Sequence, residues 1–270
     1  IIGAKSIHPD VSVPGGFQKP LTEAERSELK PMGQVLLDLA KFSMKFAKEQ
    51  IFPQYLDTVR SFAKLTTGFM GTVTADGTFE VYDGNIRLMQ ADGKYVDFPP
   101  EKYTDHIAEH VEPWSYLKFP YTKGTTFSMD LDRPGGIYRT NTLARINVCE
   151  RMPTPLAQAE LEEFRKNFGR PVQLTLLYHW ARLIELLYNA EYANQLLADP
   201  ELCAPETRIA CAPRAGRGVG TVEAPRGTLI HDYTTDKDAI VTDCNLIVGT
   251  THNNAAINMS VKRAASDMIK

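Results

Sequence analysis

The chain has 270 residues, of which 43% are apolar and 23% charged, and its formal net charge is -3. This is ordinary globular composition, long enough for one large or two small domains, and it excludes a disordered chain, a collagen and a disulfide miniprotein. The slight acidity argues against a broad nucleic-acid surface, no run approaches the ~18 apolar residues of a membrane span, and the opening IIGAKSIHPD lacks the regions of a signal peptide.

The stretch IHPDVSVPGGFQKP reads as irregular, with three prolines and two adjacent glycines. Thr22 and Glu25 form a capping box, which predicts a helix over 21–29. VLLDLAKFSMKFAKEQIF, after Pro31, predicts a second helix. From Phe69 the apolar period changes to two, and three Asp-Gly pairs, at Asp76, Asp83 and Asp92, predict an antiparallel meander. A short polar helix is expected near Glu101 to His110. An irregular stretch follows, marked by Pro113, Pro120, Pro134 and the pair Gly135-Gly136. Thr154-Pro155 predicts a helix start, with an end near Gly169. Pro171 opens VQLTLLYHWARLIELLYNAEYANQLLA, apolar around much of its circumference and so expected deep in a helical core. GTLIHDYTTDKDAIVTDCNLIVGT reads as a hairpin turning near Asp236 to Asp238. A polar helix from about Asn254 runs to Lys270.

Four cysteines, Cys149, Cys203, Cys211 and Cys244, form no CxxC pair. Such usage points to a reducing compartment with mostly buried thiols. Cys244, in the second strand of the terminal hairpin, reads as a buried small hydrophobe. His179, beside Trp180, reads as a core or interface histidine. His106, Glu109 and His110 spell HIAEH, an H-x-x-E-H pattern. On a helix, the two histidines could hold zinc with the glutamate as base, and the plainer reading is a solvated polar face. GRGVG, with Gly216, Gly218 and Gly220, could cradle phosphate before a helix. Here it precedes strand-like text, so the glycines read as close backbone packing. In EAPRG, Pro225 fixes its own φ and Gly227 frees the backbone beyond. Arg226 stands between them, with five donors in a rigid fork. This turn either aims a guanidinium at a site or places an arginine in a structural ion pair.

EAPRGTLIHDY followed by NLIVGTTHNNAAIN resembles the region near the C-terminus of the large, catalytic subunit of nickel-iron hydrogenases. IHPDVSVPGG resembles that family's HP-x4-PGG segment. RPVQLTLLYHWARLIELLYNAE and MPTPLAQAELEEF resemble its cytoplasmic branch, above all the methyl-viologen-reducing type linked to heterodisulfide reductase, with the NAD(P)-linked types close by. The resemblance covers essentially the whole chain.

It implies a subunit that splits or makes dihydrogen at a nickel-iron centre whose iron carries cyanide and carbon monoxide, beside an iron-sulfur small subunit. Arg226 would sit over the open metal position and donate to one cyanide. Thr250 would donate to the other, and Pro225 would line the same pocket. The family's four thiolate ligands, in two CxxC motifs, have no counterpart here, nor do its acidic residue over the site and its N-terminal proton-gate glutamate. We therefore expect an internal part of such a subunit, lying between the two CxxC regions. The non-Met start and uncapped last helix agree. Ala4 replaces a glycine before HP, Ala239 stands where relatives often have the glycine of an Asn-Gly turn, and Asn141-Thr142 replace a Gly-Pro before LAR.

The expected fold is α+β over 1–270, hydrogenase large-subunit-like: a core of long helices (154–198), an antiparallel meander (68–99) and a C-terminal hairpin carrying EAPRG (218–252). Missing neighbours would leave apolar helix faces uncovered. The alternatives are a non-catalytic scaffold without the metal centre and, more remotely, a zinc protease on His106, Glu109 and His110.

Overall fold

The computed structural model describes residues 11–269. Ala4 and the His8-Pro9 half of the HP-x4-PGG segment lie outside the described residues. Two short strands, β1 (Ser12–Val13) and β2 (Gly16–Phe17), precede helices α1 (Glu23–Phe46) and α2 (Phe52–Ser61). β3 (Gly68–Val73), β4 (Asn85–Met89) and β5 (Tyr95–Phe98) follow, then α3 (Tyr103–His106), β6 (Ile107–Val111), β7 (Lys118–Thr122) and β8 (Tyr138–Arg139). Next come α4 (Thr142–Val148), α5 (Pro155–Phe168) and α6 (Tyr178–Ala198). β9 (Gly216–Ala224), β10 (Gly227–Thr235), β11 (Val241–Ile247), α7 (Gly249–His252) and α8 (Asn254–Met268) complete the described chain. The class is α+β, with the expected meander and terminal hairpin.

The helical core gathers Ala40 and Met44 of α1, Leu143 to Val148 of α4, Leu161 and Phe164 of α5 and Ile184, Leu187 and Tyr188 of α6 around Phe69 of β3. Every residue of α4 is buried. The meander forms a sheet in the order β5-β4-β3-β8, with β8 added parallel to β3. The terminal hairpin gains a third strand, in the order β11-β10-β9.

Local chemistry explains several helix ends. Thr22 and Glu25 make both bonds of the capping box. Gly169 ends α5 at φ +79°, open to glycine and strained for other residues. Thr154 opens α5 without a side-chain cap. The free amides of Leu156 and Ala157 donate instead to the carboxylate of Glu191, at 2.9 and 3.0 Å, from the neighbouring α6.

Three expectations change. The two helices predicted around Pro31 are one, α1. Its Gly33 lies so close to α6 that a Cβ would stand 2.8 Å from Asn194 Oδ1, so packing holds the helix through the proline. The long helix begins at Tyr178 and not at Pro171. The amide of Asn147 donates to Val172 O and accepts from Val172 N, holding that segment extended like a short ladder rung. The helix predicted over Glu101 to His110 stops at His106, and Ile107–Val111 is a strand paired with β7.

Burial departs from expectation too. Cys149 is buried, but Cys211 and Cys244 are exposed and Cys203 is intermediate. His179 is exposed. Gly216, Gly218 and Gly220 lie within β9, where an added Cβ would meet nothing within 4 Å. They serve no close packing within the described chain. Met32, Val35, Leu39, Phe42 and Phe46 form an exposed stripe on α1 at spacings of three and four.

A buried ion triad joins the layers. The Arg145 fork of α4 donates to both oxygens of Glu185 on α6, each at 2.7 Å, and to Glu223 of β9 at 2.9 Å. The side chains of Arg145, Glu185 and Glu223 are 3%, 7% and 1% exposed, so water screens little. Burial works against the Arg145 charge, but the two carboxylates prevail and hold it protonated. Burial pushes the Glu185 carboxyl up against the pull of Arg145. The other oxygen of Glu223 accepts from Thr72 N, Thr72 Oγ1 and Thr228 Oγ1, which ties in β3 and β10.

Three outcomes are expected. Arg145→Met strands two buried carboxylates and should lower unfolding free energy by about 3–5 kcal/mol in a denaturant titration. Gly218→Ala puts its methyl in open space on an extended backbone and should raise stability by about 0.5–1 kcal/mol. His252, fully buried, hydrogen-bonds Tyr138 Oη through Nδ1 at 2.7 Å, and burial pushes its imidazole down to about 3 from 6.5. A depressed histidine favours folding fully above pH 6.5 and loses that contribution as pH falls toward 3. The slope from this group should approach about 1.4 kcal/mol per pH unit. Stability curves at pH 7 and 5 for wild type and His252→Gln should therefore converge at the lower pH.

Candidate functional site

The EAPRG segment is a two-residue hairpin loop. Ala224 of β9 pairs with Gly227 of β10, leaving Pro225 and Arg226 as the loop. Gly227 has φ +129°, and a Cβ there would collide with Thr140 Oγ1 at 2.0 Å. Only glycine lets the hairpin sit this close to the β8–α4 corner. Gly249 approaches the same peptide from the other side, where a Cβ would lie 3.1 Å from Arg226 C and Gly227 N. Thr250 is thus brought next to Arg226. Both side chains are exposed and line one cavity of about 240 Å³, together with Arg139, Asn141, Tyr178 and Asn253. Pro225 does not line this cavity. It borders the adjacent one, with Arg182, Glu185 and Glu223.

Positive charge collects here. Arg139 is 2% exposed and stacks over Phe69 at 4.8 Å. Its Nε donates to Thr67 Oγ1 and its Nη2 to Leu65 O, each at 2.8 Å, while Nη1 has no partner among the described residues. No carboxylate among the described residues offsets it, and burial pulls its pKa below the usual arginine range. Arg182 donates to Pro225 O and Asn141 Oδ1 at 2.8 Å each. Two guanidinium groups, of Arg139 and Arg226, therefore line this cavity with neutral partners or none among the described residues, while Arg182 borders the adjacent cavity beside Glu185. Such a wall suits an anionic or electron-rich occupant that accepts hydrogen bonds.

Asn253 was not singled out by the sequence. Its Nδ2 lies 2.8 Å from Thr140 Oγ1, 2.9 Å from Gly249 O and 3.2 Å from Arg226 O, and its Oδ1 accepts from Thr140 N at 2.9 Å. Asn141 has φ +89° and spans the gap with its side chain, accepting from Thr142 N at 2.7 Å. Its place in a Gly-Pro position was the available signal, since a glycine there marks positive φ. Ala239, likewise in a glycine position, has φ +62°.

The site fits a metal group only as an outer wall. No group of three or more His, Cys, Asp or Glu side chains able to hold a metal occurs among the described residues. Arg226 and Thr250 can donate to acceptors carried by such a group, and no residue here would ligate it. The HIAEH reading fails on geometry. His106 closes α3 and stacks on Phe98, whereas His110 lies in β6, stacks on Phe127 and meets Glu112 at 3.1 Å. Glu109 bonds Asn245 and Lys118. GRGVG lies within a strand and leads to no helix N-terminus.

No protein-family model matches the chain. It is 40% identical over 269 residues to a subunit of the F420-non-reducing hydrogenase vhu of Methanococcus voltae, covering 99% of this chain and 62% of that protein. It is 43% identical over 271 residues to a subunit of the F420-non-reducing hydrogenase of Methanothermobacter thermautotrophicus, covering 99% of this chain and 55% of that one. The NAD-reducing hydrogenase HoxS subunit beta of Cupriavidus necator is 38% identical over 276 residues. A crystal structure of an NAD+-reducing [NiFe]-hydrogenase in the H2-reduced state superposes with TM-score 0.86 at 38% identity, over 97% of this chain and 58% of that one. A [NiFeSe]-hydrogenase from Dm. baculatum, at 20% identity and TM-score 0.67, shares the fold. The chain spans 55–63% of the F420-non-reducing hydrogenase subunits it matches. Over nearly all its length, in sequence and in fold, the chain is similar to part of the subunits of nickel-iron hydrogenases.

Proposed function

We propose that this chain forms part of the catalytic subunit of a nickel-iron hydrogenase, which oxidises dihydrogen reversibly and passes electrons to an iron-sulfur partner subunit. The observation that carries the proposal is the convergence of Arg226 and Thr250, from two ends of one hairpin, on a single positively charged cavity. A nickel-iron centre with cyanide and carbon monoxide ligands, held by thiolates that this sequence does not contain, would supply the redox chemistry. The chain's own contribution is electrostatic. Arg226 would present a fixed positive charge and a planar set of donors to a cyanide of that centre. The Thr250 hydroxyl donates to a second acceptor. Arg139 adds charge from below without titrating near neutrality. A fixed cation aimed where charge separates lowers the cost of splitting dihydrogen heterolytically.

Relatives named for NAD reduction and for not reducing F420 match about equally, at 38–43% identity. The electron acceptor proposed is a heterodisulfide reductase or an NAD(P)-linked module. A cytoplasmic location follows from the resemblance to the cytoplasmic branch of the family. No helix among the described residues is long and apolar enough to cross a membrane. The second reading, a scaffold without the metal, draws on the missing CxxC pairs. Nickel analysis of the native assembly separates the two: a stoichiometric metal supports the enzyme, and none supports the scaffold. In the enzyme, Arg226→Lys should keep its nickel but lose turnover on the order of 10²-fold, because lysine lacks the fork. Unchanged hydrogen uptake in that variant would remove Arg226 from the mechanism.

A further inference from the structure

The Pro225–Arg226 loop is poorly matched to its hairpin. Two-residue hairpin loops favour type I′ or II′ turns, whose twist suits the strands and which need positive φ at the first loop position. Proline holds that position at negative φ, and Arg226 does not lie in the left-handed region either. The turn is therefore of an unprimed type, which tends to splay the strands. Left to itself, it would leave the direction of the Arg226 side chain loosely set.

Two side chains from outside the hairpin grip it. Arg182, on α6, donates to Pro225 O at 2.8 Å. Asn253, between α7 and α8, reaches Arg226 O at 3.2 Å. Two consecutive carbonyls are thus held, one from α6 and one from the α7–α8 junction, which fixes the peptide planes on both sides of Arg226 Cα. Asn253 also donates to Gly249 O at 2.9 Å, the carbonyl of the peptide bond to Thr250. Its two amide hydrogens serve both donor-bearing segments and Thr140 Oγ1. Arg182 is braced in turn by Asn141 Oδ1. Neither residue is needed to bury the hairpin, since Gly227, Ile230 and Ile247 already do so.

We propose that Asn253 and Arg182 are positioning residues that set the direction of the Arg226 guanidinium and its separation from the Thr250 hydroxyl. The inference rests on the hydrogenase reading, and the test keeps the two apart. It uses the assembled enzyme containing this chain, with Arg226→Lys, Arg182→Gln, Asn253→Ala and the double variant Arg182→Gln/Arg226→Lys. Nickel and iron content, kcat and KM for dihydrogen, and the infrared stretching bands of the cyanide ligands are read for each. Displacing a donor by about 1 Å can cost on the order of 10²-fold in rate. Arg182→Gln and Asn253→Ala should therefore lower kcat about 10- to 100-fold with metal retained, and should shift a cyanide band. Arg182→Gln should add nothing once Arg226 is lysine, because it acts through that side chain. If Asn253→Ala loses its metal, Arg182→Gln decides alone. Wild-type rate and bands in Arg182→Gln, beside an impaired Arg226→Lys, would overturn the positioning role. So would an Arg182→Gln loss of equal size in both backgrounds. An Arg226→Lys enzyme with unaltered rate and bands would instead overturn the underlying functional reading.

Discussion

The Arg145 guanidinium, buried between Glu185 and Glu223, is the junction on which the rest of this structure depends. It joins α4, α6 and β9 in one charge-assisted network. Through Glu223 the network reaches Thr72 of β3 and Thr228 of β10. A buried triad of this kind is weak evidence for net stability, because desolvating three charges costs about as much as pairing them returns. Its value is geometric. Few alternative packings satisfy every oxygen of Glu223 and every donor of Arg145, so the helical core and the β9–β10 hairpin can meet in essentially one way.

This junction divides the work within EAPRG. The glutamate is structural, sealed into the protein and answered on both oxygens. The arginine three residues later is left exposed beside neutral neighbours. One end of the motif locks the hairpin to the core, and the other presents a charge to a cavity. Burial keeps His252 neutral, and Tyr178, half-buried in the cavity wall, has its hydroxyl pushed up by desolvation. The wall offers donors and charge but no ligating atoms, which suits the outer side of a metal site better than its coordination sphere.

Legibility in the sequence followed the range of the forces involved. The capping box at Thr22, the glycine end of α5, the meander and the terminal hairpin were readable because each depends on neighbours a few residues apart. The motif residues Arg226 and Thr250 could be singled out as a pair only through resemblance, since no local pattern links positions so far apart in the chain. Pro225 was assigned to the same pocket and borders the next one instead. The unread features all rest on distant partners. Packing on α6 carries α1 through Pro31, Asn147 keeps Val172 extended, and Glu191 caps a helix that is not its own. Pairing with β7 turned HIAEH into strand, where local polarity had suggested a helix. Exposure was the least legible property. Cys244 and the β9 glycines face outward, because a strand residue's depth is decided by what lies across from it and not by its own type.

Asn141 shows how such a site tolerates sequence change. Its φ of +89° belongs to glycine's territory, and its side chain answers the strain with bonds to Thr142 N and Arg182. A glycine there would adopt the same backbone freely but would also roam more widely in the unfolded chain. Asparagine narrows that denatured ensemble, so the corner gives up less entropy as it forms. Folding of the cavity wall is thereby coupled to a side chain that also braces Arg182, and any drift at position 141 is felt twice: once in the native backbone and once in the disorder of the chain before it folds.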